Sequence, residues 1–578
     1  MAGETIELEY MLDPDHMAVE IANRWREWNT LRQKKIEEWK ELRNYIYATD
    51  TRTTTNSMLP WSNSTTTPKL TQIMDNLHAN YFASLFPQQN WMKFEASNPE
   101  ATEFDKTTII ENFMKSKITQ SHFTTVASDL LYDYIQYGNC FATVVFDRDV
   151  NEKKDGEINV NYVGPKVVRV SPYDIVFNPT AAEFHKTPKI IKTIKTLGEI
   201  KTMIENDPSK EYMSGVFTKM MEARAAVRGG GTYEKADGYI ADGFSSIQQY
   251  YESNYVEILT FYGDYYDAET NKLSTDRIIT VVDRAYILAN EENPSWFGTA
   301  PIFHAGWRPR PDNLYAMGPL DNLVGLQYRI DHLENLKADV FDQIAYPILK
   351  IRGDVEDFVF EPGARIYLGE EGDVGYMAPD TTALQADLQI GNITDIMEEM
   401  AGAPRQAMGI RTPGEKTAFE VQSLQNSSSR IFEHKTAHFE RVFLEPILNA
   451  MLEVSRRTMN TLETIKVEEN GNTYFMDVSK EDIVGRGRIT PIGARHFAER
   501  ARRLQNLTQL YQIKLSDPTV AVHLSGKEFA RILADELGEP SIFKENIGVE
   551  EQMETQQEAQ SAETKDIEQQ MLADELGI

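Results

Sequence analysis

The stretch from residue 417 to 460, "TAFEVQSLQNSSSRIFEHKTAHFERVFLEPILNAMLEVSRRTMN", reads as one helical pattern. At the α-helical rise it would span about 66 Å if continuous. Pro446 lies inside the pattern, deletes one backbone hydrogen bond and crowds the preceding turn, so a kink is predicted there. A chain of 578 residues is long enough for about four domains, a rule that elongated subunits escape.

Composition narrows the class. The hydrophobic fraction of 41% and aromatic fraction of 10% suffice for real cores, which argues against wholesale disorder. The net charge of -30 argues against a protein that grips nucleic acid, because grip comes from Lys and Arg neutralising phosphates. It leaves room for one past which nucleic acid must slide. Cys140 is the only cysteine, so no intrachain disulfide forms and a reducing compartment is the natural reading. The start, "MAGETIELEYML", lacks the basic and apolar regions of a signal peptide, and no apolar run approaches the ~18 residues of a membrane span. A soluble, acidic protein of intracellular origin is expected.

Residues 14–48 read as a helix carrying Trp25, Trp28 and Trp39. Its polar face is mixed in sign, which favours burial against a neighbouring domain or subunit over a membrane-surface helix. Residues 49–69, rich in Thr, Ser and Asn, read as a solvated connection. Helical patterns follow over 70–86 and 105–137. "NCFATVVFDRD", "EINVNYVGPKVVRVSP", "YDIVFNP", "YVEILTFYGDYYD" and "RIITVVDRAYILAN" read as strands from alternation and β-branched content. The glycine-rich stretch 225–244 reads as an exposed insertion. The fold class is therefore α+β, predominantly helical.

From Pro319 the character changes. "PLDNLVGLQYRIDHLENLKADVFDQIAYP" is a long helix on which Asp331, Glu334 and Asp342 share a face at i, i+3 and i+11. A short strand module follows, "ILKIRGDVEDFVFEPGARIYLGEEGDVGYM", with turns at "RGD" and "EPG". A second helix, about 383–402, leads into "GIRTPGEKT" and the long stretch described first. Beyond it, short strands near 464–478 and 488–491 precede more helix at 493–515 and 525–537. A Gln/Glu-rich tail closes the chain, marginal as an isolated helix and orderable when bundled with copies of itself.

Tests for chemistry come back empty. "GIRTPGEKT" has two glycines at phosphate-loop spacing, but Glu415 displaces Lys416, Pro413 removes a donor, and a helix rather than a strand feeds the loop. His434 and His438 stand at i, i+4, a spacing that can share a metal, without a glutamate directly after the first or a nameable third ligand. No nucleophile motif accompanies the scattered histidines. The expectation is no catalytic residue, no metal, no cofactor and no enzyme.

The order of parts is the most informative feature: long helix, small β module, second helix, Gly/Pro loop, very long kinked helix. With "AMGPLDNLVGLQYRIDHLENL", "GAPRQAMGIRTPGEKTAFEVQ", "EDIVGRGRITPIGA" and the upstream "PKLTQIMDNLHANYFASLFP", that order resembles the portal proteins, or head-to-tail connectors, of tailed bacteriophages, most closely those of short-tailed phages. The segments cover most of the chain from about 68 to 510, and "KTAFEVQ", Lys416 to Gln422, is similar to the segment that follows tunnel loops in this family.

The resemblance implies a ring of about twelve copies at one capsid vertex, closed by cyclic symmetry. Double-stranded viral DNA enters through its channel, driven by the large terminase, and leaves by the same route, without sequence-specific contacts. It implies contacts with the major capsid protein, a scaffold protein and adaptor or tail proteins, no membrane, and residence in the virion after assembly in the host cytoplasm. The segments take the family's part names: wing 1–316 and 417–470, stem 317–345 and 384–402, clip 346–383, tunnel loop 403–416, crown and C-terminal barrel 471–578. Arg405, Arg411, Glu415 and Lys416 would then face DNA from the tunnel loop. Asp331, Glu334 and Asp342 would line the channel with acid, or pair with Lys337 of a neighbour. Lys350 and Arg352 would serve docking at the clip. Two alternatives stand beside this reading: a phage nucleotide-hydrolysing packaging motor subunit, and a capsid or scaffold protein without a channel.

Overall fold

The computed structural model describes residues 15–47, 65–87, 91–96, 101–152, 158–206, 212–213, 215–228, 254–267, 271–293, 301–353, 367–369, 371–377, 381–401, 431–459, 462–469, 472–485 and 487–493, with isolated positions at 507 and 532. The chain divides into two compact units, Met1–Leu462 with Val478–Ala494, and Glu463–Asp477 with Arg495–Ile578.

The fold is mixed helix and strand with open sheets, an α+β arrangement. The N-terminal pattern forms two helices, α1 (His16–Leu31) and α2 (Gln33–Tyr47), rather than one. The break falls at Arg32, whose buried guanidinium donates to the carbonyls of Pro172 and Ile175, both at 2.6 Å, and of Tyr173 at 2.5 Å. These are backbone acceptors that a straight helix would leave unpaired. Next come α3 (Lys69–Leu85), β1 (Met92–Ala96), α4 (Ala101–Gln120) and α5 (Phe123–Gln136). The single helix expected over 105–137 is likewise two, because His122 takes a left-handed φ of 52° between α4 and α5.

Strands dominate the middle: β2 (Asn139–Glu152), β3 (Ile158–Val170), β4 (Ile175–Phe177) and β5 (Lys189–Thr196). After α6 (Leu197–Asn206) and α7 (Val216–Arg228) come β6 (Tyr255–Asp267), β7 (Lys272–Val282), β8 (Tyr286–Glu292), β9 (Ile302–Gly306), β10 (Arg308–Arg310) and β11 (Asn313–Met317). One sheet has the order β4-β5-β6-β7-β8, and another is β3-β2-β9; every pairing is antiparallel.

The five-stranded sheet is covered on both faces. Ala18, Ile21 and Trp25 of α1 pack on Leu259, Phe261 and Val281, while Ile200 of α6 and Met220 of α7 pack on Val256, Ile258 and Val282. Neighbouring residues such as Val281 and Val282 serve opposite faces, as strand alternation requires. Trp39 of α2 is buried among Tyr137, Phe141, Phe177 and Tyr315. Trp25 and Trp39 thus pack inside their own chain, consistent with the burial reading of the N-terminal helix.

After a short 3₁₀ turn, Asp321–Leu323, α8 (Val324–Ala345) runs to the hairpin-like pair β12 (Ile348–Arg352) and β13 (Asp373–Met377). A second 3₁₀ turn, Thr381–Ala386, opens α9 (Asp387–Ala401). Gly138 and Gly318 touch where β2 and α8 begin: a Cβ on Gly138, at φ +67°, would lie 2.3 Å from Gly318 N. A side chain there would push α8 off the sheet.

The described part of the long pattern is helical over 431–439, then takes a π turn at Glu440–Leu444, and continues as α10 (Glu445–Thr458). The Glu445 N–H reaches back five residues to the Glu440 carbonyl. Pro446 follows at once, so the wider turn sits where the proline ring would crowd a regular one. The second unit is described only as the hairpin of β14 (Glu463–Glu469) and β15 (Asn472–Val478), where the Thr464 hydroxyl donates to Asp477 at 2.5 Å. The expected 470/471 boundary lies outside the described residues. A single helical turn, α11 (Lys480–Ile483), leads to β16 (Gly487–Pro491), which pairs with β1. The helices expected at 493–515 and 525–537 lie outside the described residues, apart from single positions.

Candidate functional site

Polar groups at every fourth residue fix α8 to the chain's own segment 65–70. Asn335 exchanges two hydrogen bonds with the Thr65 backbone, its side-chain oxygen accepting at 2.8 Å and its amide donating at 3.0 Å. Asp331 accepts from the Thr67 N–H at 2.9 Å. The Gln327 amide donates to Thr67 O at 2.6 Å and to Asp331 at 2.8 Å, and its oxygen accepts from the Leu70 N–H at 3.2 Å. This stripe serves as a second strand for a segment that has none. At least its last residues, read from sequence as a solvated connection, are strapped to the helix.

The helix α9 returns alongside α8 in the opposite direction. Lys337 pairs with Asp387 at the start of α9 and, at 3.3 Å, with Glu334. At the other end Lys69, next to the Leu70 that Gln327 binds, reaches Glu398 at 2.5 Å. These pairs fix the antiparallel direction. The inward residues Ile330, Met397 and Ala401 are buried.

The outward faces carry many exposed apolar side chains among polar ones such as Asp342, Gln389, Asn392 and Glu399. Leu388 is 83% exposed, Tyr346 75% and Phe341 56%, with Tyr328, Leu336, Ile344, Ile396 and Met400 also exposed. A groove of about 440 Å³ between Leu336 on α8 and Leu388 and Asn392 on α9 continues this surface. Ile351, Tyr376 and Met377 extend it onto β12 and β13. Scattered apolar side chains are ordinary on a surface; this many exposed on one helix pair and its adjoining strands call for a partner.

The carboxylates expected on one face are divided. Asp331 is fully buried against residues 65–67, and burial raises its carboxyl to about 6, against downward pulls from the Thr67 N–H and Gln327. It is therefore withdrawn from any solvent-facing lining. Glu334 is partly exposed and tied to Lys337, and Asp342 is exposed. Lys337 bonds within its own chain. Lys350 and Arg352 lie exposed on β12 opposite Gly375 and Asp373. Arg405, Arg411, Glu415 and Lys416 lie outside the described residues.

His434 is exposed and His438 half-buried, with burial first and then Lys435, Arg441 and His434 holding the His438 imidazole below its ordinary value. Among the described residues no three His, Cys, Asp or Glu side chains gather as a metal site, and no helix is long and apolar enough to cross a membrane. No protein-family model and no curated protein matches the chain. The strap on α8 was missed in the sequence, although its signal is there: Gln327, Asp331 and Asn335 repeat at i, i+4, i+8 on the side that also carries Ile330.

Proposed function

We propose that this chain is one subunit of a ring-shaped portal, the head-to-tail connector of a tailed bacteriophage, through which duplex DNA is packaged and ejected. The observation that carries the reading is the apolar outer surface of the α8–α9 pair. A solitary subunit would leave Phe341 and Leu388 in water, and burying each against a neighbouring copy is worth about 1.5–3 kcal/mol. A closed ring repeats that contact for every subunit.

The chemistry of such a channel supports the reading. A passage for DNA must not hold it, and a net charge of -30 disfavours adhesion to phosphate. Of the three carboxylates expected to line the channel, Glu334, tied to Lys337, is partly exposed and Asp342 exposed, with Asp331 kept as a buried structural acid. The exposed β12–β13 pair, at the far end of two helices, is suited to docking the large terminase during packaging and an adaptor ring afterwards. The capsid and scaffold proteins would surround the wing. No catalytic step is assigned to the chain.

Electron microscopy of the purified full-length chain tests this directly. Closed rings with a central hole of DNA width are expected. Monomers at high protein concentration, or filaments that do not close, would sink the proposal.

A further inference from the structure

Two cations lie against one buried tryptophan, and three more potential cations stand beside one of them on its helix. The side chain of Lys435 lies against Trp307, with its ammonium 4.5 Å from the ring centroid and donating to Trp307 O at 2.5 Å. Arg308 lies over the same ring at 5.2 Å. Trp307 is 2% exposed and donates its indole N–H to the Tyr81 hydroxyl at 3.2 Å, so the platform is fixed. On the helix, His434, Lys435, His438 and Arg441 follow at i, i+1, i+4 and i+7, spacings that place them on or beside one face. Arg308, His434 and Arg441 are exposed, while Lys435 and His438 are half-buried.

Among the described residues, no carboxylate forms an ion pair with Arg308, His434, Lys435, His438 or Arg441, in a chain with 89 acidic residues against 59 basic ones. Some interior cations of this chain have acidic partners, as Arg224 has Asp283 and Lys69 has Glu398, while Arg32 and Lys189 are met by backbone carbonyls. Burial chiefly, and then repulsion from the neighbouring Arg308, hold Lys435 below its ordinary value. An arriving anion removes that repulsion. Because exposed charges are screened within about 8 Å, the acidic remainder of the surface does not cancel the local field.

We infer that Arg308, Lys435 and Arg441, assisted by His434 and His438, form a binding site for the phosphate groups of a nucleic-acid duplex backbone. Two guanidinium groups can grip phosphate oxygens in pairs, while an ammonium held on a tryptophan face adds a fixed point charge. The spread along the helix suits consecutive phosphates rather than a single enclosed anion. The inference does not depend on ring formation, since it concerns one surface of one chain and does not assign these cations to the channel, where a grip on DNA would oppose its passage.

The test compares the full-length protein with the triple variant Arg308→Gln, Lys435→Met, Arg441→Gln, and with Arg26→Gln, which removes an exposed cation on α1. Binding of a fluorescein-labelled random-sequence DNA duplex is followed by anisotropy across a salt series. The triple variant should lose about tenfold or more in affinity at low salt, and its log–log salt slope should flatten by about one unit per cation removed. Arg26→Gln should behave like the parent. Circular dichroism and thermal melting confirm folding, and each single substitution, tested alone, should give a fraction of the effect.

Unchanged affinity and slope in the folded variants overturn the site, as does an equal loss in Arg26→Gln. Competition by inorganic phosphate at constant ionic strength separates the sources: tight phosphate binding with no duplex binding overturns assignment to a polymer. A shift in oligomeric state at unchanged duplex affinity also overturns it, since the cluster would then face carboxylates of a second copy.

Discussion

Asp331 accepts the backbone N–H of Thr67 at 2.9 Å while its second oxygen is buried without a partner among the described residues. A folded-state value near 6, above the ordinary 3.8, means that the native chain binds this proton more tightly than the unfolded one. The associated stability is fully present below about pH 4 and is lost as pH rises through about 6. A displacement of that size corresponds to on the order of 2–3 kcal/mol. Asp331→Asn keeps an acceptor for Thr67 and removes the charge. Its Tm should exceed the parent's at about pH 7.5 and match it at about pH 4. A lower Tm at the higher pH would show that the strap needs the carboxylate.

The β7–β8 turn supplies a second prediction. Asp283 and Arg284 both take left-handed φ values, 49° and 56°, in a turn where glycine or asparagine would be cheaper. Their side chains are buried and paired: Asp283 accepts two bonds at 2.9 Å from Arg224 of α7, and Arg284 binds Glu257 of β6 at 3.0 Å. Asp283→Ala strands a buried guanidinium and should cost about 3–5 kcal/mol. Replacing both partners, Asp283→Leu with Arg224→Met, should recover much of it. Equal losses in the single and double variants, measured by chemical denaturation, would remove the pair from the account.

The strands with the densest β-branched and aromatic content are legible in sequence because such runs leave little choice of structure. "NCFATVVFDRD" and "YVEILTFYGDYYD" became β2 and β6. β5, "KIIKTIKT", is not legible as a strand: lysine or threonine fills five of its eight positions, and its place between β4 and β6 makes it one. The breaks at Arg32 and His122 were not legible either, since each depends on tertiary partners or a local backbone turn that helical spacing does not encode. Pro446 shows the limit most clearly. Its effect on the helix was foreseeable, whereas the π turn also requires Phe439, Phe443 and Ile447 all to stay buried, which one sequence does not reveal. For the site, residue types were readable and facing was not: Asp331 and Glu334 look alike in a helical pattern, and only the strap divides them.

A third prediction concerns docking at the exposed β12–β13 pair. Lys350→Glu with Arg352→Glu changes two exposed side chains that make no core contact, so thermal stability should move by less than about 0.5 kcal/mol. Arg352 stands across from Asp373, and reversal turns that pair into like charges, which confines any structural cost to the strand end. Rings should form as in the parent, while co-sedimentation with the cognate terminase or adaptor should fall. Attachment at parental levels would remove these two residues from the docking surface.

The last prediction tests the apolar stem face. Leu388 and Phe341 are large, exposed and on different helices, and Leu388 borders the groove against Leu336. Neither carries the α8–α9 contact, which is made by Lys337 with Asp387 and by the buried Ile330 and Met397; Phe341 stands on the Ile330 side of α8, one turn beyond Lys337, and is left exposed there. Leu388→Glu and Phe341→Glu should therefore leave the isolated subunit's melting within about 0.5 kcal/mol of the parent. In a ring the same substitutions bury a carboxylate in an apolar contact at every interface, a cost of several kcal/mol each. Analytical ultracentrifugation should show the mass falling from ring to free subunit, with Leu388→Gln giving a weaker effect because an amide costs less to bury. If both glutamate variants assemble as the parent does, the exposed face is not where copies meet, and the proposal of a stem-packed ring loses the observation that carries it.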